Sequence, residues 1–239
     1  MSGLSASDLA ALGFFVVSWG LYHLALARGW SGQSGLNRRM EHYRRQWMRE
    51  LSRRENRIVD GSIMASLQNG TAFFASTSLI AIGGVATLLR STDDVLKVFS
   101  EISVGLNPDR ALFELKVVGL LAILGYAFFK FAWAYRLYNY TAILFGATPP
   151  AQSPDAAERE RISGVAGRMN VVAGSHFTRG QRAFFFAMAW LGWFLGPWTF
   201  LVTTSAIVAV MWARQYSSDA LAALGAETPA SGNPGDTSP

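Results

Sequence analysis

Residues 61–89, GSIMASLQNGTAFFASTSLIAIGGVATLL, contain no charged side chain over 29 consecutive positions. An α-helix of about 20 apolar residues crosses the ~30 Å hydrocarbon core of a bilayer, because its own hydrogen bonds satisfy every backbone group in the absence of water. This stretch is long enough for such a crossing. It decides the fold, since it predicts an integral membrane protein.

Three more apolar segments follow the same pattern. Residues 9–27 and 183–213 are free of charge, and residues 112–133 contain three charged side chains. The segments are continuously apolar rather than alternating, and four strands could not close a barrel. We therefore predict an all-α fold, a four-helix transmembrane bundle with basic amphipathic cytoplasmic helices. The predicted spans are residues 9–27, 63–89, 112–133 and 183–213.

The distribution of arginine predicts the orientation. Residues 28–62 hold nine arginines and residues 134–182 hold six, whereas residues 90–110 hold three basic residues and four acidic ones. Short loops rich in Lys and Arg stay on the cytoplasmic side. We therefore predict cytoplasmic loops at 28–62 and 134–182, an external N-terminus at 1–8 and an external tail at 214–239. The composition of the tail predicts disorder.

Composition narrows the chemistry and the partners. The chain has no cysteine, which excludes disulfide and thiolate chemistry. The net charge of +5 comes from loops beside membrane helices, so it indicates topology and contact with anionic lipid headgroups, and no nucleic-acid partner is expected. Eighteen arginines against three lysines are typical of a GC-rich bacterial genome. The expected location is the inner (plasma) membrane of a bacterium.

An amphipathic pattern runs through the first basic loop. Apolar residues recur at helical spacing at Leu36, Met40, Tyr43, Trp47, Leu51 and Ile58. One interpretation is an interfacial helix that binds anionic lipid. The other is a solvated helix whose apolar stripe packs on the remaining cytoplasmic segments, and the pattern does not distinguish the two. A bend is expected at residues 60–62, before the second span.

The second basic loop carries two further helical patterns. The apolar character of the third span continues to Gly146, more than a bilayer requires, so residues 134–146 are expected along the inner membrane surface. A surface helix is expected from Ser153 through Val172. Thr178 has the pattern of a capping box that begins the fourth membrane helix.

Small residues in two of the spans are candidates for helix packing. Gly83 and Gly84 would allow close approach of a neighbouring helix. Gly192 and Gly196 form a GxxxG pair directly before Pro197, which is expected to kink the fourth helix.

Polar residues that flank the spans are expected to gather at the inner membrane face. They are Arg57, Asp60, Lys130, Arg136, Asn139, Asn170 and Arg182. One interpretation is a site for an anion or a lipid headgroup between helix ends. The simpler alternative is positive-inside topology, together with an ion pair between Asp60 and either Lys130 or Arg136.

The chain shows no constellation typical of an enzyme or a metal site. It has no paired carboxylates, no nucleophile with an adjacent base and no metal-ligand spacing, so no catalytic and no metal-binding residue is predicted. His23 and His176 are expected near the same membrane face. Haem held by this pair is not expected, because a histidine at a membrane edge is far more often a packing residue.

Several motifs together resemble a family of bacterial and plant multi-pass membrane proteins catalogued as a domain of unknown function. They are RIVD at 57–60, FFASTS at 73–78 with Gly83 and Gly84, YAFFKFAW at 126–133 with YNY at 138–140, and RAFFF at 182–186 with WF at 193–194 and GP at 196–197. The resemblance covers roughly residues 9–216. It implies a four-helix membrane architecture, carries no activity, and implies that Asp60, Lys130 and Asn139 belong to a shared pattern.

Two classes of function fit these observations. The first is a non-enzymatic accessory or scaffold subunit, associated with a protein partner or with further copies of itself in the membrane. The alternative is an oligomeric small-solute transporter or channel. Such a transporter would need an oligomer, because four helices without buried charge make a poor pathway by themselves.

Overall fold

The structure is a computed structural model that describes residues 4–28, 35–102, 109–217 and 219–225. Within these residues the fold is all-helical, which confirms the predicted all-α class. The helices are α1 (Ala6–Arg28), α2 (Leu36–Arg53), α3 (Ile58–Arg90), α4 (Thr92–Ile102), α5 (Arg110–Ala147), α6 (Ala156–Leu191), α7 (Pro197–Tyr216) and α8 (Asp219–Gly225). A 3₁₀ turn, Gly192–Leu195, stands between α6 and α7.

Three stretches of helix are long and apolar enough to cross a membrane. They are Ala6–Leu26, Ile58–Arg90 and Arg110–Ala147. Each exceeds the length of about 20 residues that a bilayer core requires. These three helices suggest that the protein is a membrane protein.

Residues 183–213 do not form one helix, so the prediction of a single fourth span is wrong. α6 ends at Leu191, and Gly196 adopts a φ of 128°, a conformation that glycine reaches without a steric penalty. Pro197 is the first residue of α7. Its fixed φ and missing N–H suit that position, so it begins a new helix instead of kinking an existing one.

α7 runs back along the end of α6 as an antiparallel partner. The Thr203 hydroxyl donates to the Ala189 carbonyl at 2.8 Å. Further from the turn, the Arg214 guanidinium lies 5.9 Å from the ring centre of Phe185. Later positions of α7 therefore meet earlier positions of α6, and the two helices form a hairpin.

The hairpin changes the account of the C-terminal tail. α7 continues to Tyr216 and Asp219–Gly225 forms α8, so the predicted disorder is wrong for this first part of the tail. The external position predicted for 214–239 assumed that residues 183–213 form a single helix running outward, and the hairpin contradicts that assumption. Residues 226–239 lie outside the described residues.

Three aromatic rings mark the level at which the molecule divides into two helical bundles. Phe131 of α5, Phe74 of α3 and Phe177 of α6 contact one another, with ring centres 5.3 to 5.6 Å apart. On one side lie α2, the first halves of α3 and α6 and the second half of α5, here called the basic bundle. On the other side lie α1, α7 and the remaining halves of α3, α5 and α6, here called the apolar bundle.

The apolar face of α2 packs on protein. Met48 and Leu51 are buried, in one cluster with side chains of α3, α5 and α6. α2 approaches α6 closely, because a Cβ at Gly167 would be in van der Waals contact with the Arg45 backbone at 3.5 Å. The structure therefore supports protein packing over a lipid-facing stripe. Ile58, assigned to the stripe, instead begins α3 and is 76% exposed.

Aromatic side chains fill the centre of the apolar bundle. Phe15 of α1 lies 5.5 Å from Phe186 and 5.2 Å from Trp190 of α6, measured between ring centres, and 5.1 Å from Phe200 of α7. Trp193 stacks on Phe200 at 5.3 Å. All five side chains are buried. Their rings pack in edge-on, tilted and stacked arrangements, so α1, α6 and α7 enclose a filled core.

Three predicted helix boundaries are corrected. The chain bends at residues 54–57 rather than at 60–62, because α3 already begins at Ile58. α5 continues straight through residues 134–146, for a total length of about 57 Å, instead of lying along a surface. α6 is one continuous helix, so residues 153–172 do not form a separate surface helix. Thr178 does not cap a helix, because it lies within α6 and its hydroxyl donates to the Gly174 carbonyl at 2.9 Å.

Candidate functional site

The predicted polar residues do not form a single cluster. Asp60 is buried, and its Oδ1 accepts hydrogen bonds from Arg54 Nη1 and from Trp47 Nε1, both at 2.7 Å. The predicted ion pair of Asp60 with Lys130 or Arg136 is therefore wrong. The bend at 54–57 returns Arg54 to the first turn of α3, which brings this nearer base to the carboxylate.

Arg57 closes the far end of the basic bundle. Its Nη1 and Nη2 donate to the carbonyls of Thr148 and Pro149, each at 2.7 Å. These carbonyls follow the last turn of α5, where intrahelical donors are missing. Arg57 thus ties the bend before α3 to the end of α5.

The three predicted residues of α5 have separate partners. Lys130 Nζ lies 5.1 Å from the ring centre of Tyr126. Arg136 Nε donates to the Tyr140 hydroxyl at 2.8 Å on an exposed face. Asn139 Oδ1 accepts from Gln68 Nε2 of α3 at 2.7 Å. They span about two and a half helical turns, so they cannot share one ligand.

Asn170 lies at the centre of the basic bundle, beside an arginine that the sequence analysis did not single out. Arg44 Nη1 donates to Asn170 Oδ1 at 2.7 Å and to the Tyr138 hydroxyl at 3.1 Å. Asn170 is fully buried. Helical spacing from Trp47 and Leu51, which pack inward, places Arg44 on the inward face of α2, but no spacing in the sequence identifies Asn170 and Tyr138 as its partners.

A cavity of about 470 Å³ opens where the basic bundle meets the apolar bundle, between α1, α2, α6 and α7. Four arginines line it, Arg38, Arg44, Arg179 and Arg182. We call it the arginine cavity. Of the seven predicted polar residues, it includes only Arg182, whose guanidinium lies 5.8 Å from the ring centre of Tyr22.

The charge of the arginine cavity is not balanced within the described residues. Glu41 is the one acidic residue that lines it, and its carboxylate lies 3.8 Å from Arg45 in an exposed pair. Arg38, Arg179 and Arg182 take part in no ion pair of the described structure. The cavity wall is therefore net positive.

His23 and His176 lie close to the same cations, Lys130 and Arg179. His176 Nδ1 is buried without a hydrogen-bond partner. In the described part of the chain, no three His, Cys, Asp or Glu side chains are grouped as a metal site would require.

The predicted packing glycines behave differently from one another. Gly192 lies against Thr203 of α7, so the hairpin uses this glycine. Gly83 and Gly84 face open space, with nothing within 4 Å of an added Cβ, so no other helix among the described residues packs on them and their predicted role in helix packing stays a prediction. Gly180 was missed. A Cβ there would lie 2.7 Å from the Phe131 ring.

A second polar network lies at the opposite end of the apolar bundle. Trp193 Nε1 donates to Asp8 Oδ1 at 2.8 Å, and Lys116 Nζ donates to the Trp193 carbonyl at 2.8 Å. Trp190 Nε1 donates to the Lys116 carbonyl, also at 2.8 Å. The network joins α1, α5 and the turn after α6. Lys116 is one of the three charged side chains in the predicted span 112–133, and no spacing in the sequence indicates that it belongs to a network.

Comparison with known proteins yields one match. Residues 10–220 match a family model described as "Protein of unknown function, DUF599". No curated protein and no solved structure matches the chain. The matched region covers most of the chain, including every residue that lines the arginine cavity.

Proposed function

The chain belongs to the DUF599 family, and on that premise we propose that it is a five-pass membrane protein with a non-enzymatic accessory or scaffold role. The proposed location is the inner membrane of a bacterium. The proposed partners are another membrane protein or further copies of the chain, together with anionic lipid headgroups. No role in nucleic-acid binding is proposed.

Five stretches of helix supply the proposed crossings. They are α1, the second half of α3, the first half of α5, the second half of α6 with its 3₁₀ turn, and α7. Each is about 20 residues long, as the ~30 Å hydrocarbon core requires. The basic bundle continues α3, α5 and α6 beyond the membrane. Its arginines assign it to the cytoplasm.

The packing of the apolar bundle favours a scaffold over a transporter. Phe15, Phe186, Trp193 and Phe200 fill the space between α1, α6 and α7. A transporter needs a polar route at this depth. Ser78 is buried there, but its hydroxyl donates to the Phe74 carbonyl of its own helix at 2.8 Å and lines no route. A filled core supports a structural role.

The alternative is transport through an oligomer, with the route between copies rather than within one. The open surface around Gly83 and Gly84 leaves room for a neighbouring helix. A scaffold binds a different protein or further copies of itself and carries no solute, whereas a transporter requires a homo-oligomer and solute flux. These requirements separate the two functions.

Photo-crosslinking in cells tests the proposal. A photoreactive residue is placed at Ile80 of α3 or Ile143 of α5, which are 76% and 66% exposed, and at the buried Phe186 as the matched internal control. The proposal expects a defined adduct with a different protein or with a second copy of the chain from an exposed position, no solute flux, and no adduct from Phe186. Adducts between copies only, together with solute flux in proteoliposomes, would replace the scaffold with the transporter.

A further inference from the structure

We propose that the arginine cavity is a binding site for a phosphate group. The inference goes beyond the scaffold role; phosphate recognition does not depend on that role, whereas a lipid source of the phosphate rests on the proposed five-pass arrangement. A volume of about 470 Å³ lies within the range of small-molecule sites, roughly 300–1,000 Å³. The guanidinium fork of arginine matches the geometry of phosphate oxygens and stays charged at all relevant pH.

Charge is the first argument. Arg38 of α2 and Arg179 and Arg182 of α6 line one cavity without an ion-pair partner among the described residues. Glu41 already pairs with Arg45 at an exposed position. Cations gathered from two helices repel one another, and the half-buried ones are also partly desolvated. An anion in the cavity relieves both effects.

The fixed position of Arg44 is the second argument. Its Nη1 is held by Asn170 and Tyr138, while its guanidinium lies flat on α6 over Gly174. A Cβ at Gly174 would lie 3.0 Å from Arg44 Cζ, so the absence of a side chain there makes room for the guanidinium. Within the described residues, Nε and Nη2 donate to no other side chain, so they can donate to a ligand. An arginine held before binding loses little entropy on binding.

Neutral donors complete the wall. Asn37 Nδ2 donates to Gln215 Oε1 at 3.0 Å, which leaves Gln215 Nε2 as a donor at the cavity. Gln181 lines the same space. These amides bind phosphate oxygens without adding charge. The wall therefore offers guanidinium and amide donors around one volume.

The position of the cavity allows two sources of phosphate. It lies between the basic and apolar bundles, beside Tyr22 and Tyr216, at the level where inner-leaflet headgroups sit in the five-pass arrangement. A phospholipid headgroup could enter from the membrane. A soluble phosphate compound could enter from the cytoplasm. Both use the same recognition chemistry.

The test compares two double variants of the full chain that lose the same charge from the same two helices. Arg38→Gln with Arg179→Gln removes two cavity arginines, and Arg49→Gln with Arg168→Gln removes two arginines outside it. In detergent, the melting temperature is measured with inorganic phosphate and with chloride at equal ionic strength. In nanodiscs, retention of phosphatidylglycerol over phosphatidylcholine is measured by native mass spectrometry.

We expect wild-type and control protein to bind phosphate or phosphatidylglycerol equally, within about twofold, and the cavity variant to bind at least tenfold more weakly. Selective lipid retention without an effect of phosphate identifies the headgroup as the ligand, and the reverse identifies a soluble compound. Equal losses in both variants would overturn the proposal. If the cavity variant does not fold, the wild-type protein decides, since indifference to both phosphate and phosphatidylglycerol excludes the site.

Discussion

Asn37 donates a hydrogen bond to Gln215 at 3.0 Å, although 178 positions separate the two residues. The contact joins the first turn of α2 to the last turn of α7. At the other end of the molecule, Asp8 of α1 meets Trp193 beside the turn between α6 and α7. The two ends of the described chain therefore lie at opposite ends of the apolar bundle, as an odd number of crossings requires.

Single-cysteine labelling tests this topology, and the chain has no native cysteine to interfere. Cysteine at Ser217, just after α7, should resist a membrane-impermeant thiol reagent in intact cells. Cysteine at Ser153 in the basic bundle should also resist it, whereas cysteine at Asp94 in α4 should react. Reaction at Ser217 with protection at Ser153 would restore an external C-terminus and contradict five crossings.

Removing the Arg54 guanidinium should destabilise the protein more than neutralising the buried Asp60 carboxylate. Arg54→Gln leaves a carboxylate with 1% side-chain exposure bonded only to Trp47, and we expect a loss of about 2–3 kcal/mol in unfolding free energy. Asp60→Asn should cost about 1 kcal/mol, because the half-exposed Arg54 regains water. Denaturant unfolding in detergent measures both, and the reverse order would contradict the assignment.

Local patterns predicted much of the helix framework. The described α1, α3 and α5 each contain or nearly contain a predicted apolar segment, because an uncharged run longer than a bilayer is a local property. The hairpin at Gly196 was missed for the same reason. Residues 183–213 stay apolar throughout, and the reversal depends on one positive φ and on packing of α7 against α6.

From the sequence, the position of the candidate site along the helices could be predicted, but not which residues contact one another there. Arginines near helix ends do gather where the two bundles meet, as Arg182 shows. Which of them share a cavity depends on how α2 crosses α6 at Gly167 and Gly174. That crossing joins segments more than a hundred positions apart, so no local spacing encodes it. Arg44 was overlooked on these grounds.

The Lys116 network should show energetic coupling to Asp8. Both side chains are buried, at 9% and 6% exposure, and Trp193 bonds to each. Lys116→Met or Asp8→Asn alone should each cost about 1–3 kcal/mol, since each leaves the other buried side chain without its opposite charge. The double variant should cost clearly less than the sum of the two single losses. Additive losses in a double-mutant cycle would mean that the residues act independently.

Two glycine substitutions should have opposite effects on stability. Gly180→Ala places a Cβ 2.7 Å from the Phe131 ring, which cannot move aside because it is fully buried against Phe74 and Phe177. We expect a loss of about 1–3 kcal/mol from overpacking.

Gly84→Ala meets nothing within 4 Å in α3 and should stabilise the detergent-solubilised protein by up to about 1 kcal/mol through helix propensity. Unfolding of both variants in detergent compares them directly. Equal destabilisation would contradict the placement of Gly84 on an open face, whereas a stable Gly84→Ala protein that loses its crosslinked partner in cells would place that partner on α3.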